Sequence, residues 1–132
     1  MKTVRIGMVG SGFVAGFYMQ GLSNVNGQEV VAAYSRSAAR GRAFAKQWDI
    51  PETTTDLDAL IARRDIDLHI IALPNELHLP VSLKLSKARR NQVCTKPLAR
   101  NARDARLMYD AARKSGEIHG YAETEVFAPA CV

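Results

Sequence analysis

Three small residues near the amino terminus are spaced in a way that suits phosphate binding. Gly10, Gly12 and Ala15 follow the apolar run 4–9 in the order G-x-G-x-x-A. The first glycine lets a chain turn sharply off a strand, the second removes a side chain where a pyrophosphate approaches the backbone, and the small third residue lets a helix pack closely. The free N–H groups of that helix then face the phosphates. A tight turn without a ligand is the alternative, so the context of the motif decides.

Strand and helix patterns alternate along the chain. The predicted strands are 3–9, 29–34, 50–55, 67–73, 92–95 and 118–122, and the predicted helices are 13–22, 37–48, 57–64, 76–88 and 102–114. The buried side chains expected on the first two helices are Val14, Phe17, Tyr18, Leu22, Ala39, Ala43, Phe44 and Trp48. This alternation predicts an α/β fold, a Rossmann-type doubly wound parallel sheet with helices on both faces in three αβα layers.

The residues able to do chemistry follow the predicted strands, where parallel sheets bind their ligands. After the second strand, an Asp or Glu would accept hydrogen bonds from the ribose of NAD, but none is present. Ser35, Arg36 and Arg40 stand there instead, and a hydroxyl with two guanidinium groups suits the 2′-phosphate of NADP. We therefore expect NADP as the preferred cofactor, with NAD as the alternative.

The motifs together resemble the N-terminal domain of the glucose–fructose oxidoreductase and inositol dehydrogenase family (Gfo/Idh/MocA). The matching segments are I-G-M-V-G-S-G at 6–12, S-R after the second strand, A-L-P-N-E-L-H at 72–78 and C-T-K-P-L at 94–98. The resemblance implies an NAD(P)-dependent oxidoreductase that transfers hydride between its cofactor and a sugar, polyol or related alcohol or ketone.

The resemblance also implies roles for individual residues. Lys96 would be the catalytic residue, hydrogen-bonding the reacting oxygen and helping to move its proton, whereas a surface lysine before a proline is the alternative. Leu73, Pro74 and Asn75 would line the nicotinamide ribose. His78 would lie near the same pocket, unless it is a capping or surface histidine. The candidate cofactor-binding residues are Gly10, Gly12, Phe13, Val14, Ser35, Arg36, Arg40, Leu73, Pro74, Asn75, His78, Lys96 and Pro97.

Four positions depart from the family pattern. Thr95 replaces the usual Glu of E-K-P, and Gln92 occupies a strand position that is commonly apolar. Arg89 replaces a glycine after the fourth helix, so we expect Asn91 to supply the left-handed cap. The segment Val126-Phe127-Ala128-Pro129 stands where the family often has Arg-Phe-x-Pro.

Composition limits the class of protein. The 132 residues are 47% hydrophobic and 23% charged, as in an ordinary globular protein, and no apolar run is long enough to cross a membrane, so we expect a cytoplasmic location. The net charge of +5 raises the question of nucleic acid, but the basic residues are dispersed and lack interleaved aromatics. Cys94 and Cys131 show no metal-ligand spacing and are expected to be free thiols.

The expected domain organisation follows from length and from the resemblance. Residues 1–124 are predicted to form the NAD(P)-binding domain, and 125–132 to begin the connection to a C-terminal substrate domain. Without that domain we expect little catalysis, because the substrate contacts that stabilise a transition state would be missing. The alternative is a freestanding, non-catalytic NADP-binding module that regulates a partner, and either form is compatible with a homo-oligomer.

Overall fold

A computed structural model describes residues 2–128, in which strands and helices alternate as the sequence predicts. The strands are β1 (Val4–Val9), β2 (Gln28–Tyr34), β3 (Glu52–Thr54), β4 (Leu68–Ile71), β5 (Gln92–Thr95) and β6 (His119–Ala122). The helices are α1 (Phe13–Leu22), α2 (Ala38–Trp48), α3 (Leu57–Ala62), α4 (His78–Lys87) and α5 (Ala102–Ser115). Short 3-10 turns occupy Asn75–Leu77 and Glu125–Phe127. The predicted residues Pro129 and Cys131, and the side chain of Phe127, lie outside the described part.

All strand pairs are parallel, and the sheet has the order β3-β2-β1-β4-β5-β6. The strand order therefore reverses between β1 and β4, which is the switch point where open α/β sheets bind ligands. Two apolar clusters cover the sheet, one on each face. Val9 and Ile71 contribute to one cluster while their neighbours Met8 and Ile70 contribute to the other, as the two-residue period of a strand requires. The predicted three-layer Rossmann-type fold is confirmed.

The buried face of α1 differs from the predicted one. Ala15 and Met19 are buried, whereas Val14 is 41% and Phe17 is 60% exposed, so the prediction that these two pack inward was wrong. Because α1 starts directly after the glycine turn, its axis lies close to the strands, and the small side chain of Ala15 fits against them. Phe17 instead stacks with Phe13, the ring centroids being 6.4 Å apart.

A similar correction applies to α2. Phe44 is buried and Trp48 packs against the same cluster, as expected, but Ala39 and Ala43 are exposed. Gly41 takes the buried position next to the second strand, because a Cβ there would lie 3.1 Å from the Cβ of Ser35. Close packing selected the residue without a side chain over the two alanines.

Two departures from the family pattern have local explanations. Arg89 itself has φ of +55°, so the prediction that Asn91 provides the left-handed residue was wrong. The Asn91 side chain instead donates to Asp67 O and accepts from Ile118 N. Gln92 is buried on β5, and its amide bonds to Ser82 and Ser86 on α4 satisfy it. A polar strand residue is therefore accommodated by two polar helix residues.

Charged side chains at the amino-terminal edge of the sheet are paired with one another. The ion pairs are Lys2–Asp67, Arg5–Glu29, Arg5–Asp65, Arg63–Asp65 and Arg63–Glu52. Arg63 binds Asp65 through two nitrogens, at 2.9 and 2.7 Å. The hydrogen bonds from Arg63 and then from Arg5 hold the pKa of the Asp65 carboxyl well below its ordinary value. The charges that these side chains carry at the amino-terminal edge therefore compensate one another.

Two buried groups near the sheet have perturbed acidity. His69 is completely buried on β4 beside Gly7, and burial lowers the pKa of its imidazole to about 4. Burial also raises the pKa of the Cys94 thiol to about 12, so this free cysteine is inert packing. Within residues 2–128, no cluster of His, Cys, Asp and Glu could hold a metal ion. No helix of that region is both long and apolar enough to cross a membrane.

Candidate nucleotide-binding site

Gly10 is required by the fold itself. It follows β1 with φ of +131°, and its N–H donates to Tyr34 O at 3.0 Å. A Cβ at this position would lie 2.1 Å from Ala72 O, inside the van der Waals contact of the two atoms. The chain therefore leaves β1 through a gap between the ends of β2 and β4 that only glycine fits.

Gly12 has no such internal reason. Its φ is −90°, and a Cβ placed there would meet nothing within 4 Å. Gly12 is also the N-cap of α1, so no side chain caps this helix and no acidic residue lies in its first turn. Side chains of Ser37, Asp56 and Asn101 cap α2, α3 and α5. The start of α1 thus presents free N–H groups to an open space, and Phe13 and Val14 are the first residues of that helix.

The loop after β2 is joined to the glycine turn. Ser35 is buried, and its Oγ accepts hydrogen bonds from Ser11 Oγ at 2.7 Å and from Ser37 N at 3.3 Å. Arg36 and Arg40 are exposed, and neither guanidinium forms an ion pair within the described residues. Two cations without an ion pair in residues 2–128 therefore follow β2, whose loop is hydrogen-bonded to the glycine turn.

The loop after β4 contains an unsatisfied polar atom. Pro74 is exposed, Leu73 packs its side chain against the core, and Asn75 begins a 3-10 turn. The Oδ1 atom of Asn75 is buried and has no hydrogen-bond donor in the part of the chain described. Since a buried acceptor without a donor is costly, this atom is suited to a hydroxyl or amide of a ligand.

The loop after β5 places Lys96 in solvent. Thr95, the departure from E-K-P, is buried and donates to Ile71 O at 2.9 Å, whereas Lys96 and Pro97 are exposed. Lys96 forms no ion pair with any described residue, and the same holds for Arg36 and Arg40. Thr95 fixes the loop beneath Lys96, and the Lys96 ammonium is exposed and unpaired within residues 2–128.

Glu123 lies directly after β6 and is not among the candidate site residues predicted from the sequence. The carboxylate of Glu123 accepts two hydrogen bonds. The backbone N–H of Glu125 donates one at 3.2 Å, and the hydroxyl of Tyr121 donates the other at 2.9 Å. These bonds lower the pKa of Glu123, and the charge of Lys96 adds to the effect. The rule that marked the other strand ends would have found this carboxylate, because it too follows a parallel strand.

His78 lies beneath the site rather than on its surface. The side chain is 1% exposed, so the alternative of a surface histidine is wrong. Nε2 lies 2.9 Å from Leu73 O, and Nδ1 lies 2.8 Å from Pro97 O and 3.3 Å from Leu98 O. Both ring nitrogens therefore lie within hydrogen-bond distance of backbone carbonyls of two loops. Because carbonyls only accept, the ring donates to both loops when both nitrogens carry a proton, and to one loop when it is neutral.

The sheet brings the predicted residues to one edge. They follow β1, β2, β4 and β5, which are adjacent and parallel, so their carboxyl ends meet at the switch point. Their contacts with a ligand stay predictions. Free N–H groups, together with two guanidiniums, an ammonium and an amide oxygen that have no partner in the described chain, are chemically suited to a phosphorylated nucleotide. Fold and edge together define a Rossmann domain of the dinucleotide-binding class.

The chain belongs to the Gfo/Idh/MocA family, because the family model described as "Oxidoreductase family, NAD-binding Rossmann fold" matches residues 4–122. The resemblance drawn from the motifs is thereby confirmed, and the chain is an NAD(P)-binding domain of an oxidoreductase family.

Individual relatives agree with this assignment. The chain is 35% identical over 116 residues to 1,5-anhydro-D-fructose reductase of Ensifer adhaerens, covering 88% of this chain and 35% of the relative. It is 26% identical over 126 residues to scyllo-inositol 2-dehydrogenase (NADP(+)) IolU of Bacillus subtilis, covering 96% and 38%. Among solved structures, GenD2 from gentamicin A biosynthesis, in complex with NAD, superposes with a TM-score of 0.90 at 25% identity, covering 98% and 37%. The chain spans between a third and two-fifths of the length of these proteins.

Proposed function

We propose that this chain binds NADP(H), with NAD(H) as the weaker ligand, and serves as the cofactor-binding part of an oxidoreductase acting on a sugar, polyol or related carbonyl compound. The observation that carries the proposal is the open space in front of the uncapped start of α1 at Gly12. A pyrophosphate in that space would accept hydrogen bonds from the free N–H groups and would be stabilised by the helix dipole.

The preference for NADP rests on charge after β2. Arg36 and Arg40 are exposed and unpaired within residues 2–128, and no carboxylate follows Tyr34 to bind a ribose diol. Guanidinium groups bind phosphate in a bidentate manner and stack on an adenine ring. The relatives' names include both NADP and NAD, so the preference rests on these two arginines.

The nicotinamide half would lie over the ends of β4 and β5. Leu73, Pro74 and Asn75 would line its ribose, with Asn75 Oδ1 accepting a hydrogen bond that residues 2–128 do not supply. The nicotinamide, when bound, supplies the hydride acceptor or donor. Lys96 would hydrogen-bond the reacting oxygen of the substrate and pass its proton, a role for which an exposed, unpaired ammonium is suited.

The substrate class is taken from the relatives. Their names specify 1,5-anhydro-D-fructose and scyllo-inositol, both polyhydroxylated rings. We propose the same class here, with residues 1–124 as the cofactor domain and 125–132 as the beginning of a connection to a substrate domain. The end of the family match at residue 122 supports this boundary.

Calorimetric titration with NADP⁺ and NAD⁺ tests the proposal. We expect saturable NADP⁺ binding that Gly12→Val weakens by about 100-fold or more, because its side chain would fill the phosphate space. Gly21→Val is the matched control, since Gly21 lies on the same helix and a Cβ there also meets nothing within 4 Å. If neither nucleotide binds the folded wild-type chain, the proposal is wrong.

The cofactor preference is tested separately by charge reversal. Arg36→Asp should lower the ratio of NADP⁺ to NAD⁺ affinity by about tenfold or more, because it replaces a phosphate ligand by a repelling charge. Arg42→Asp, an equal charge change at an exposed position of α2, should leave the ratio unchanged. Equal ratios in the two variants would contradict the 2′-phosphate assignment while leaving dinucleotide binding intact.

A further inference from the structure

The imidazole of His78 lies between the loop after β4 and the loop after β5, with one ring nitrogen close to each loop. One carbonyl that it contacts belongs to Leu73, after β4, and the others belong to Pro97 and Leu98, after β5. The ring is almost completely buried, so these contacts exclude water. A buried hydrogen bond of this kind is costly to remove, because the carbonyl left behind has no solvent to replace it.

The two bridged loops are the ones that would face the nicotinamide. Leu73 directly precedes Pro74 and Asn75, and Pro97 directly follows Lys96. Beneath them, the strand ends are already joined by Thr95 Oγ1, which donates to Ile71 O at 2.9 Å. His78 therefore acts above the last pair of hydrogen-bonded strand residues, where the sheet no longer fixes the spacing of the two loops.

We propose that His78 is a positioning residue that sets the distance between the Asn75 loop and the Lys96 loop, and thereby shapes the nicotinamide half of the site. The inference rests on the proposed function, because it assigns the nicotinamide to these two loops. His78 is buried, and both of its ring nitrogens face backbone carbonyls, so it acts through the two loops and not through contact with cofactor or substrate. A histidine that merely filled the core would affect the whole domain and not one half of the ligand.

Two conservative variants separate the halves of the bridge. In His78→Gln the side-chain amide nitrogen can occupy the place of Nε2 and retain the bond to Leu73 O. In His78→Asn it can occupy the place of Nδ1 and retain the bond to Pro97 O. Each variant keeps one loop attached and releases the other. His69→Gln is the matched control, because His69 is equally buried but lies on β4 away from both loops.

Binding of a whole and a partial ligand is the first readout. NADP⁺ contains the nicotinamide half, whereas adenosine 2′,5′-bisphosphate lacks it. We expect each His78 variant to weaken NADP⁺ by about tenfold while changing the bisphosphate by less than about twofold. Equal changes for the two ligands, or no change for NADP⁺, would overturn the inference. A wild-type chain that binds neither ligand would refute the proposed function instead.

Amide hydrogen exchange gives a second readout that needs no nucleotide. Both His78 variants should exchange about tenfold faster in loops 73–77 and 96–100, with the amino-terminal edge of the sheet unchanged. His69→Gln should not produce this pattern. Unchanged loops in folded His78 variants would overturn the bridge whether or not any nucleotide binds.

Discussion

The two edges of the sheet treat their charges differently. At the amino-terminal edge, five ion pairs join seven side chains. At the carboxyl-terminal edge, Arg36, Arg40 and Lys96 have no ion partner within residues 2–128, and α1 starts without a side-chain cap. Surface ion pairs contribute modestly to stability, whereas unpaired cations around free N–H groups attract an anion. The charges of the amino-terminal edge are compensated within the chain, whereas the carboxyl-terminal edge is complementary to an anionic ligand.

The largest predicted effect concerns Gly10, which stabilises the fold although it lies on the carboxyl-terminal edge of the sheet. Although it lies on the binding edge, Gly10→Ala should lower the free energy of unfolding by about 3 kcal/mol, because the new Cβ collides with Ala72 O at an unfavourable φ. Gly12→Ala should change it by less than about 0.5 kcal/mol. Urea unfolding of both variants measures the difference, and similar values would show that the two glycines are not distinct.

Buried His69, on β4, should make the stability of the domain depend on pH in a different range from the charges of the amino-terminal edge. His69 binds its proton near pH 6.5 in the unfolded chain but only near pH 4 when folded, so the unfolded state binds more protons between these values. Stability should therefore fall as the pH drops from 6.5 to 4, by about 3 kcal/mol from this group.

His69→Leu should flatten that part of the profile, as measured by urea unfolding at several pH values. The carboxylates of the amino-terminal edge act lower, because Asp65 has a depressed pKa and its contribution is lost only below the ordinary Asp range. A profile between pH 4 and 6.5 that is unchanged in His69→Leu would show that another group titrates there.

Arg63 tests the amino-terminal edge directly and should give the smallest effect. Arg63→Ala removes the pairs with Asp65 and Glu52, so we expect a loss of about 1 kcal/mol that shrinks in high salt, with nucleotide affinity unchanged. Arg36→Ala should do the reverse, leaving thermal stability unchanged and weakening NADP⁺. Thermal unfolding at two salt concentrations with parallel titration distinguishes them, and loss of nucleotide binding in Arg63→Ala would contradict the comparison.

The sequence predicted elements well where their ends carry local signals. The bounds of α1 and β5 are as predicted, because Gly12 precedes the first and Lys96-Pro97 follows the second. The fourth strand was predicted to extend to Leu73 but ends at Ile71, since apolar residues continue beyond the last strand hydrogen bond. Helix faces were predicted less well, because close packing favoured Ala15 and Gly41 over larger neighbours.

The candidate site divides in the same way. Positions such as Arg36 and Lys96 could be predicted because topology alone sends the ends of parallel strands to one edge. The internal bonds of His78 and the orphaned Oδ1 of Asn75 could not, because they depend on where two loops meet in space. Arg89 adopts a left-handed backbone that its residue type disfavours, and for this reason the prediction moved the left-handed residue to Asn91.

The hydrogen bond from Ser11 to Ser35 has a consequence for redesigning this domain. The residue directly after the second strand, where a carboxylate would bind the ribose of NAD, is Ser35. The Ser35 hydroxyl is enclosed between the glycine turn and Gly41, so a carboxylate introduced at this position would have no room and would displace the turn. The better position for changing the preference between NADP and NAD is the next residue, Arg36, because a new side chain there is exposed to solvent.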